Sequence, residues 1–300
     1  MPPTEAGPLG ALLAGIVDYA GLFPPADLEF PAAVAAYDRH RAGAHAWMLG
    51  SFVVPLARVE ELAKVVASLT QEREAPRPIW PLSVLVPGAG QGERVLEEVG
   101  RRWGDRLSVR AIEVAPLDLE MLRQESGGQP QGVEVFYEVP LDDSVGSRLD
   151  AIAALGANAK VRTGGLKAEA FPSAASLVRL VRGCADRQMA LKATAGLHHA
   201  FRGRYRLTYD PHSAETEMHG FLELALVAEL VRSGKIDDLG AAALLGGCGG
   251  GLVIDGDAVL WCGHRFVSKQ LADLRRRLFR SFGSCSFQEP VDELARHGLL

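Results

Sequence analysis

Residues 159–165 spell AKVRTGG and residues 190–196 spell ALKATAG, and these two stretches set the pattern for the whole chain. Each begins as a short strand-like run that is interrupted by a lysine, and each ends at glycine. The sequence between them, Pro172 to Arg187, has the apolar periodicity of an amphipathic helix. A strand, a helix and a second strand in this order form a βαβ unit, whose two strands lie parallel in one sheet.

The same alternation of strand and helix patterns continues in both directions along the chain. Eight strand-like runs, most of them followed by a helical pattern, favour a closed (β/α)8 TIM barrel, an α/β fold. An open doubly wound sheet is the alternative, because strand order is not visible in the sequence. We predict one domain over residues 1–300. The predicted strands are residues 16–20, 47–54, 82–86, 109–114, 133–139, 159–162, 190–194 and 283–287, and a helix is predicted at 268–281, before the last of them.

One connection is much longer than the others. Residues 197–267 separate the seventh and eighth predicted strands and contain two helical patterns at 218–233 and 236–245, a glycine-rich run and a hairpin-like stretch. Long connections in compact domains tend to carry function or contacts between subunits. We therefore expect an inserted segment that covers the barrel mouth, and we keep open that it forms a homo-oligomer contact.

Composition narrows the class of partner and the cellular compartment. The net charge is -5 and no long run of Lys and Arg occurs, which argues against nucleic acid as a partner. The longest uncharged run, Gly240 to Ile254, is too short for a bilayer, which requires about 20 apolar residues. The four cysteines are scattered without a CxxC pair, which predicts reduced thiols. We expect a cytoplasmic protein with no membrane partner and no cofactor.

Two lysines inside the predicted barrel strands indicate a catalytic site. Barrel enzymes hold their catalytic groups at the carboxyl ends of the strands, where Lys160 and Lys192 lie. A buried amine beside another cation loses proton affinity, and a neutral amine attacks a carbonyl to form a Schiff base. The alternative is structural, with each lysine paired to a carboxylate such as Glu113 or Glu138.

At these residues the chain resembles the deoxyribose-phosphate aldolases, a family of class I aldolases. The run at 159–165 resembles their KTSTGF strand, and the run at 191–196 is similar to their KASGG strand. The opening IVDYAGLFP at 16–24 resembles their IDHTLLKP, and FGSCS at 282–286 resembles their FGASS. The chain departs from the family after the seventh strand, where Leu197, His198 and His199 replace part of the phosphate site.

The resemblance implies a Schiff-base aldolase or lyase that acts on a small carbonyl compound, which can be anionic. It makes Lys160 the imine-forming nucleophile and Lys192 the neighbouring cation that tunes it. It also makes Glu113 or Asp18 the carrier of protons. The residues expected to bind substrate are Arg162, Thr163, Gly164, Gly165, Thr194, His198, His199, His219, Ser284 and Ser286.

Two other functions stay open from the sequence. Histidines of the long connection, namely His198, His199, His212 and His219, are a residue type that binds zinc, and would make the protein a metal-dependent lyase or hydrolase. No HExxH or HxH spacing occurs among them, so we predict no metal site. The other alternative is a non-catalytic barrel that serves as an interaction scaffold.

Overall fold

Eight parallel strands close into a barrel, as the sequence predicts. The computed structural model describes residues 7–71, 79–88, 92–125, 130–248 and 251–300. With strands numbered along the chain, the barrel strands are β1 (Val17–Tyr19), β2 (Leu49–Pro55), β3 (Trp80–Val86), β4 (Leu107–Val114), β5 (Glu134–Glu138), β6 (Asn158–Arg162), β7 (Leu191–Thr194) and β13 (Phe279–Ser284). Around the barrel their order is β1-β13-β7-β6-β5-β4-β3-β2.

Helices surround the barrel and cover the outer faces of its strands. Since side chains alternate along a strand, one set from each strand packs against the helices, and Val84, Ile112 and Val161 are buried there. Side-chain caps mark several helix starts: Asp118 accepts a hydrogen bond from the Met121 amide, and Ser173 accepts one from the Ser176 amide. The helices are α1 (Pro8–Leu13), α2 (Phe30–Ala42), α3 (Val59–Gln71), α4 (Gly92–Trp103), α5 (Leu119–Gln124), α6 (Val145–Ala154), α7 (Ala174–Asp186), α8 (Phe221–Arg232), α9 (Asp238–Leu245), α10 (Ser268–Arg277) and α11 (Gln288–Arg296).

The chain between β7 and β13 forms three kinds of structure. A two-stranded antiparallel ribbon, β8 (Gly203–Arg206) and β9 (Glu215–Met218), comes first. Helix α8 follows; its side chains are buried along almost its whole length, and it contacts α7, α10 and β13. Then come α9 and a small antiparallel sheet of β10 (Val253–Asp255), β11 (Ala258–Trp261) and β12 (His264–Val267), and β11 contacts α1.

Some sequence predictions in this region are wrong. Helix α10 ends at Arg277 and the last barrel strand occupies Phe279–Ser284, four residues before its predicted start at 283. The predicted helix at 218–233 begins only at Phe221, so His219 lies before it. The ribbon β8–β9 and the third strand β12 lie in stretches for which the sequence predicted no strand.

The cysteines also differ from expectation. Cys248 and Cys262 form a disulfide, with their Cα atoms 6.2 Å apart, whereas Cys184 and Cys285 are free thiols. Reduced thiols were expected because the cysteines are scattered without a CxxC pair, but the turn between β11 and β12 brings Cys262 next to the end of α9. Of the helices in the described residues, none has the length and apolar character needed to cross a membrane.

Candidate active site

Inside the barrel, the side chains form two layers of different chemistry. The deeper layer contains Ala111, Phe136 and Ala190, a small apolar cluster of its own, together with Asn158, whose Oδ1 accepts a hydrogen bond from the Ala190 amide. Two residues further along each strand, the same inward face carries Glu113, Glu138, Lys160 and Lys192. A charged layer therefore lies directly above an apolar one.

Lys160 is held by two carboxylates. Its Nζ lies 2.9 Å from Glu138 Oε2 and 3.2 Å from Glu113 Oε2. In the parallel register, Lys160 is paired with Glu138 on β5 and with Lys192 on β7, so the three side chains lie abreast on neighbouring strands. The side chain of Lys160 is only 4% exposed, so these two carboxylates take the place of water around its amine.

Lys192 lies beside Lys160 and shares one of its partners. Its Nζ is 2.6 Å from Glu113 Oε1 and 2.8 Å from Asp18 Oδ2, and it donates a hydrogen bond to Ser83 Oγ at 3.1 Å. Ser83 in turn donates to Glu113 Oε1 at 2.6 Å. Glu113 is thus a bridge, with one carboxylate oxygen on each lysine.

Asp18 anchors the other side of Lys192. Its Oδ1 accepts a hydrogen bond of 2.6 Å from the Ser51 amide, and its Oδ2 accepts one of 2.6 Å from Ser281 Oγ. Asp18 is on β1, Ser51 on β2 and Ser281 on β13, so one carboxylate connects three strands where the first and last strands of the barrel meet.

The network fixes the charge of its inner members. Burial by itself would raise the pKa of Glu113, but the charges of Lys192 and Lys160, with hydrogen bonds from Lys192 and Ser83, lower it to about 2. Burial would likewise lower the pKa of Lys192, but Asp18 and Glu113 outweigh it and raise that pKa. Glu113 is therefore an anion and Lys192 a cation at neutral pH.

A pocket of about 710 Å³ opens above the charged layer. Glu113, Glu138, Lys160 and Arg162 all line it. Arg162 lies at its rim, with its side chain 55% exposed and its Nε 3.5 Å from Glu138 Oε1. The volume suits a ligand considerably larger than an acetaldehyde-sized carbonyl.

A second polar group lines another part of this pocket. His198 Nδ1 lies 3.0 Å from Ser284 Oγ and 3.5 Å from Glu289 Oε2. Because the Ser284 hydroxyl donates to the Ser286 carbonyl at 2.6 Å, Nδ1 of His198 must be the donor to Ser284. Burial, reinforced by the neighbouring His199, lowers the pKa of His198 to about 4, so this ring is neutral at pH 7. Burial also raises the pKa of the Glu289 carboxyl.

Two further candidate histidines, His199 and His219, have partners of their own. His199 stacks on Tyr205, with 3.3 Å between ring centroids, and its Nδ1 lies 3.3 Å from Glu293 Oε1. His219 is buried, and its Nε2 donates to the Pro172 carbonyl at 2.8 Å. Within the described ranges, no three His, Cys, Asp or Glu side chains form a group that could hold a metal ion.

Neither the family models, nor the curated proteins, nor the solved structures yield a match to this chain. What the protein does is therefore inferred from its own side chains.

The structure divides the residues that the sequence analysis selected into two groups. The pocket is lined by Lys160, Glu113, Arg162, Gly165, Thr194, His198 and His199. The others lie behind this lining: Lys192 and Asp18 in the charged network, Thr163 and Gly164 in the turn after β6, and His219, Ser284 and Ser286 in contacts within the protein.

Several residues of the site were not selected from the sequence. Ser83 links Glu113 to Lys192, and its signal was a serine inside an otherwise apolar strand. Glu138 was named from the sequence only in the structural alternative, as a carboxylate that pairs with a lysine, and it is the nearest carboxylate to Lys160. Tyr209 and Glu289 line the pocket from a loop and a helix, and no local pattern distinguishes them.

Proposed function

We propose that this protein is a class I aldolase or lyase-type enzyme that forms a Schiff base between Lys160 and a carbonyl compound. The observation that carries the proposal is the position of Lys160, a buried amine that lines the pocket while it contacts two carboxylates. Lys192 has the same chemistry but lies beneath the lining, where Asp18, Glu113 and Ser83 surround its Nζ. The two lysines therefore have different roles.

Imine formation requires that Lys160 first lose a proton. We assign that proton to Glu138, which lies 2.9 Å away and is partly exposed to the pocket. The neutral amine then attacks the carbonyl carbon and forms a carbinolamine. Glu138 returns the proton to the carbinolamine hydroxyl, which leaves as water, and an iminium ion remains on Lys160.

The iminium accepts electrons from the adjacent carbon. In the cleavage direction, a carboxylate removes the proton of the β-hydroxyl, the Cα–Cβ bond breaks, an aldehyde leaves and an enamine remains. Protonation of the enamine carbon and hydrolysis of the iminium then restore Lys160. Glu113, as a fixed anion beside both lysines, balances the iminium charge throughout.

The inserted segment belongs to this proposal as part of the binding site. Residues 198–199, 205–209 and Met218 line the same pocket as Lys160. We infer that this part of the 197–267 connection covers the barrel mouth and limits access of water to the iminium. From α8 onward this connection has a structural role, since α8 packs among helices of the outer ring.

Trapping of the imine tests the function directly. Incubation with a carbonyl compound and borohydride should reduce the iminium to a stable secondary amine, which peptide mass spectrometry locates on Lys160. Lys160→Met should abolish the adduct. Lys167→Met removes an exposed lysine elsewhere and should leave labelling unchanged. Reproducible labelling of other lysines while Lys160 stays unmodified would overturn the assignment.

A further inference from the structure

We propose that the carbonyl substrate carries an apolar alkyl or aryl substituent and not a phosphate group. This inference rests on the proposed function, because it concerns the part of the substrate that lies away from Lys160. Three features of the pocket carry it: an apolar wall, an aromatic ring that fills the space at two glycines, and a turn in which two backbone amides already have partners within the protein.

The apolar wall comes from several parts of the barrel mouth. It consists of Phe23, Pro25, Val53, Leu85, Leu207 and Met218, all of which line the pocket. These residues come from strands β2, β3 and β9 and from the segments that follow β1 and β8. Removing apolar surface from water favours binding by about 25 cal/mol per Å². A pocket of about 710 Å³ with such a wall favours a substituent of several carbons.

The glycines after β6 and β7 accommodate an aromatic ring. A Cβ atom at Gly164 would lie 2.4 Å from Phe171 Cε1, and one at Gly196 would lie 2.9 Å from the same atom. Glycines in such turns can let an anion approach the backbone. Here the ring of Phe171 occupies the space beside both of them, and Phe171 itself lines the pocket.

Two backbone amides at the turn after β13 already donate hydrogen bonds within the protein. The Ser286 amide donates to Ser284 Oγ at 3.3 Å, and the Glu289 amide donates to Ser286 Oγ at 3.2 Å. A phosphate would need such donors to be free. Moreover, the carboxyl group of Glu289 lies in the first turn of α11 and faces the pocket, and it would repel a phosphate while ionised.

Of the three lysine and arginine side chains that line the pocket, two already contact carboxylates. Lys160 contacts Glu113 and Glu138, and Arg162 contacts Glu138. Arg206 is exposed at the rim, and no described carboxylate lies within ion-pair distance of it. Arg206 is therefore the residue through which a phosphorylated substrate would bind if this inference were wrong.

Two measurements on the full chain test the inference. The first is the affinity of unreactive alcohols, from ethanol to 1-hexanol, measured by their displacement of the neutral apolar dye N-phenyl-1-naphthylamine. The second is the rate of borohydride-trapped labelling at Lys160 by acetaldehyde, hexanal and glyceraldehyde 3-phosphate. We expect affinity to rise about fourfold per added methylene, from the transfer free energy of a buried CH₂ group, and hexanal to label Lys160 fastest.

A matched pair of variants locates the effect. Leu207→Asp, in the apolar wall, should lower hexanol affinity and hexanal labelling about tenfold, since it places a charge there. Leu239→Asp changes a leucine on α9 that is 83% exposed and should change neither quantity. Alcohol binding that rises with chain length, without labelling by any aldehyde, would overturn the imine function and support the apolar site.

The opposite result would overturn the apolar inference alone. One such result is a rate of Lys160 labelling that does not depend on the chain length of the aldehyde. The other is a rate that is highest with the phosphorylated aldehyde and that loses this preference in Arg206→Gln. In either case the imine function would stand, so the two failures are distinguishable.

Discussion

Glu113 is the residue on which both lysines of the site depend. Its two oxygens lie 3.2 Å from Lys160 Nζ and 2.6 Å from Lys192 Nζ, and its side chain is only 2% exposed. A buried ion pair contributes little net stability as a whole, but removal of one partner leaves an uncompensated charge in a medium of low dielectric. Replacement of a single residue of this network should therefore lower the free energy of unfolding by more than the few contacts of that residue suggest.

Lys192→Met tests the coupling of these buried charges at a single residue. It leaves Asp18 and Glu113 without the amine that lies 2.8 and 2.6 Å from them. We expect a loss of about 3–5 kcal/mol in the free energy of unfolding, measured by urea denaturation. Lys167→Met should stay within about 0.5 kcal/mol of the unsubstituted protein, because Lys167 is exposed. A loss below about 1 kcal/mol in Lys192→Met would contradict the coupled network.

The same network predicts a dependence of stability on acid. The pKa of Glu113 falls from its ordinary value of 4.5 to about 2 in the folded protein. As pH decreases, the Glu113 carboxylate therefore takes up a proton in the unfolded chain before it does so in the folded protein. The stabilisation is complete above pH 4.5 and is lost as pH falls toward 2. Glu113→Gln should be less stable than the unsubstituted protein at pH 7, and this difference should shrink over that window. Denaturation curves at several pH values would measure it, and a constant difference would contradict the lowered pKa.

At the scale of elements, the local sequence pattern predicted most helices and strands but not the boundary between α10 and the last barrel strand, β13. From Ser268 to Ser281 the sequence contains neither glycine nor proline, so periodicity alone extends the helix across Arg277. The structure ends α10 there because Phe279–Ser284 pairs with β1 and β7. That pairing is tertiary, and it overrides local preference.

Gly196 shows how one turn positions two elements. Its φ is +67°, a conformation that favours glycine, and a Cβ atom there would lie 2.6 Å from Gly164 Cα. Gly196→Ala should therefore destabilise the protein by more than about 1 kcal/mol. It should also slow Lys160 labelling, because the turns after β6 and β7 would move apart.

Gly100→Ala is the matched control for that substitution. Gly100 is exposed within α4, and a Cβ atom there would meet nothing within 4 Å. Alanine should be neutral or should raise stability by about 0.5–1 kcal/mol. Thermal unfolding of both variants gives the comparison, and equal behaviour of the two would show that the close approach at Gly196 is unimportant.

At the scale of the whole molecule, the sequence predicted the barrel and its lysines but not the contacts that loops make. Lysines inside strands are conspicuous because their burial is costly, and strand ends converge in any barrel. In contrast, Tyr209 and Glu289 reach the pocket through the paths of the β8–β9 ribbon and of α11, which no local pattern fixes. The pairing of Cys248 with Cys262 was unpredictable for the same reason.

This disulfide should affect stability without affecting the site. It closes a short loop between α9 and the turn after β11, a sequence separation of 14. Loops of this size give about 3 kcal/mol in the chain-entropy description. Cys248→Ser with Cys262→Ser should lower the thermal midpoint by several degrees and leave the rate of Lys160 labelling unchanged, since neither cysteine lines the pocket. A parallel loss of labelling would contradict this separation.

The contact between Ser281 and Asp18 joins residues 263 positions apart and has a consequence for biosynthesis. A ribosome that adds about 5–20 residues per second needs roughly 13 to 53 seconds to travel from the first of these residues to the second. β1 lacks its neighbour β13 throughout that interval, and once β7 has been synthesised the nascent barrel is an open sheet whose two edges, β1 and β7, are unpaired. The growing polypeptide is then a natural client for chaperones that shield such edges. The amine site is completed only when translation has nearly ended.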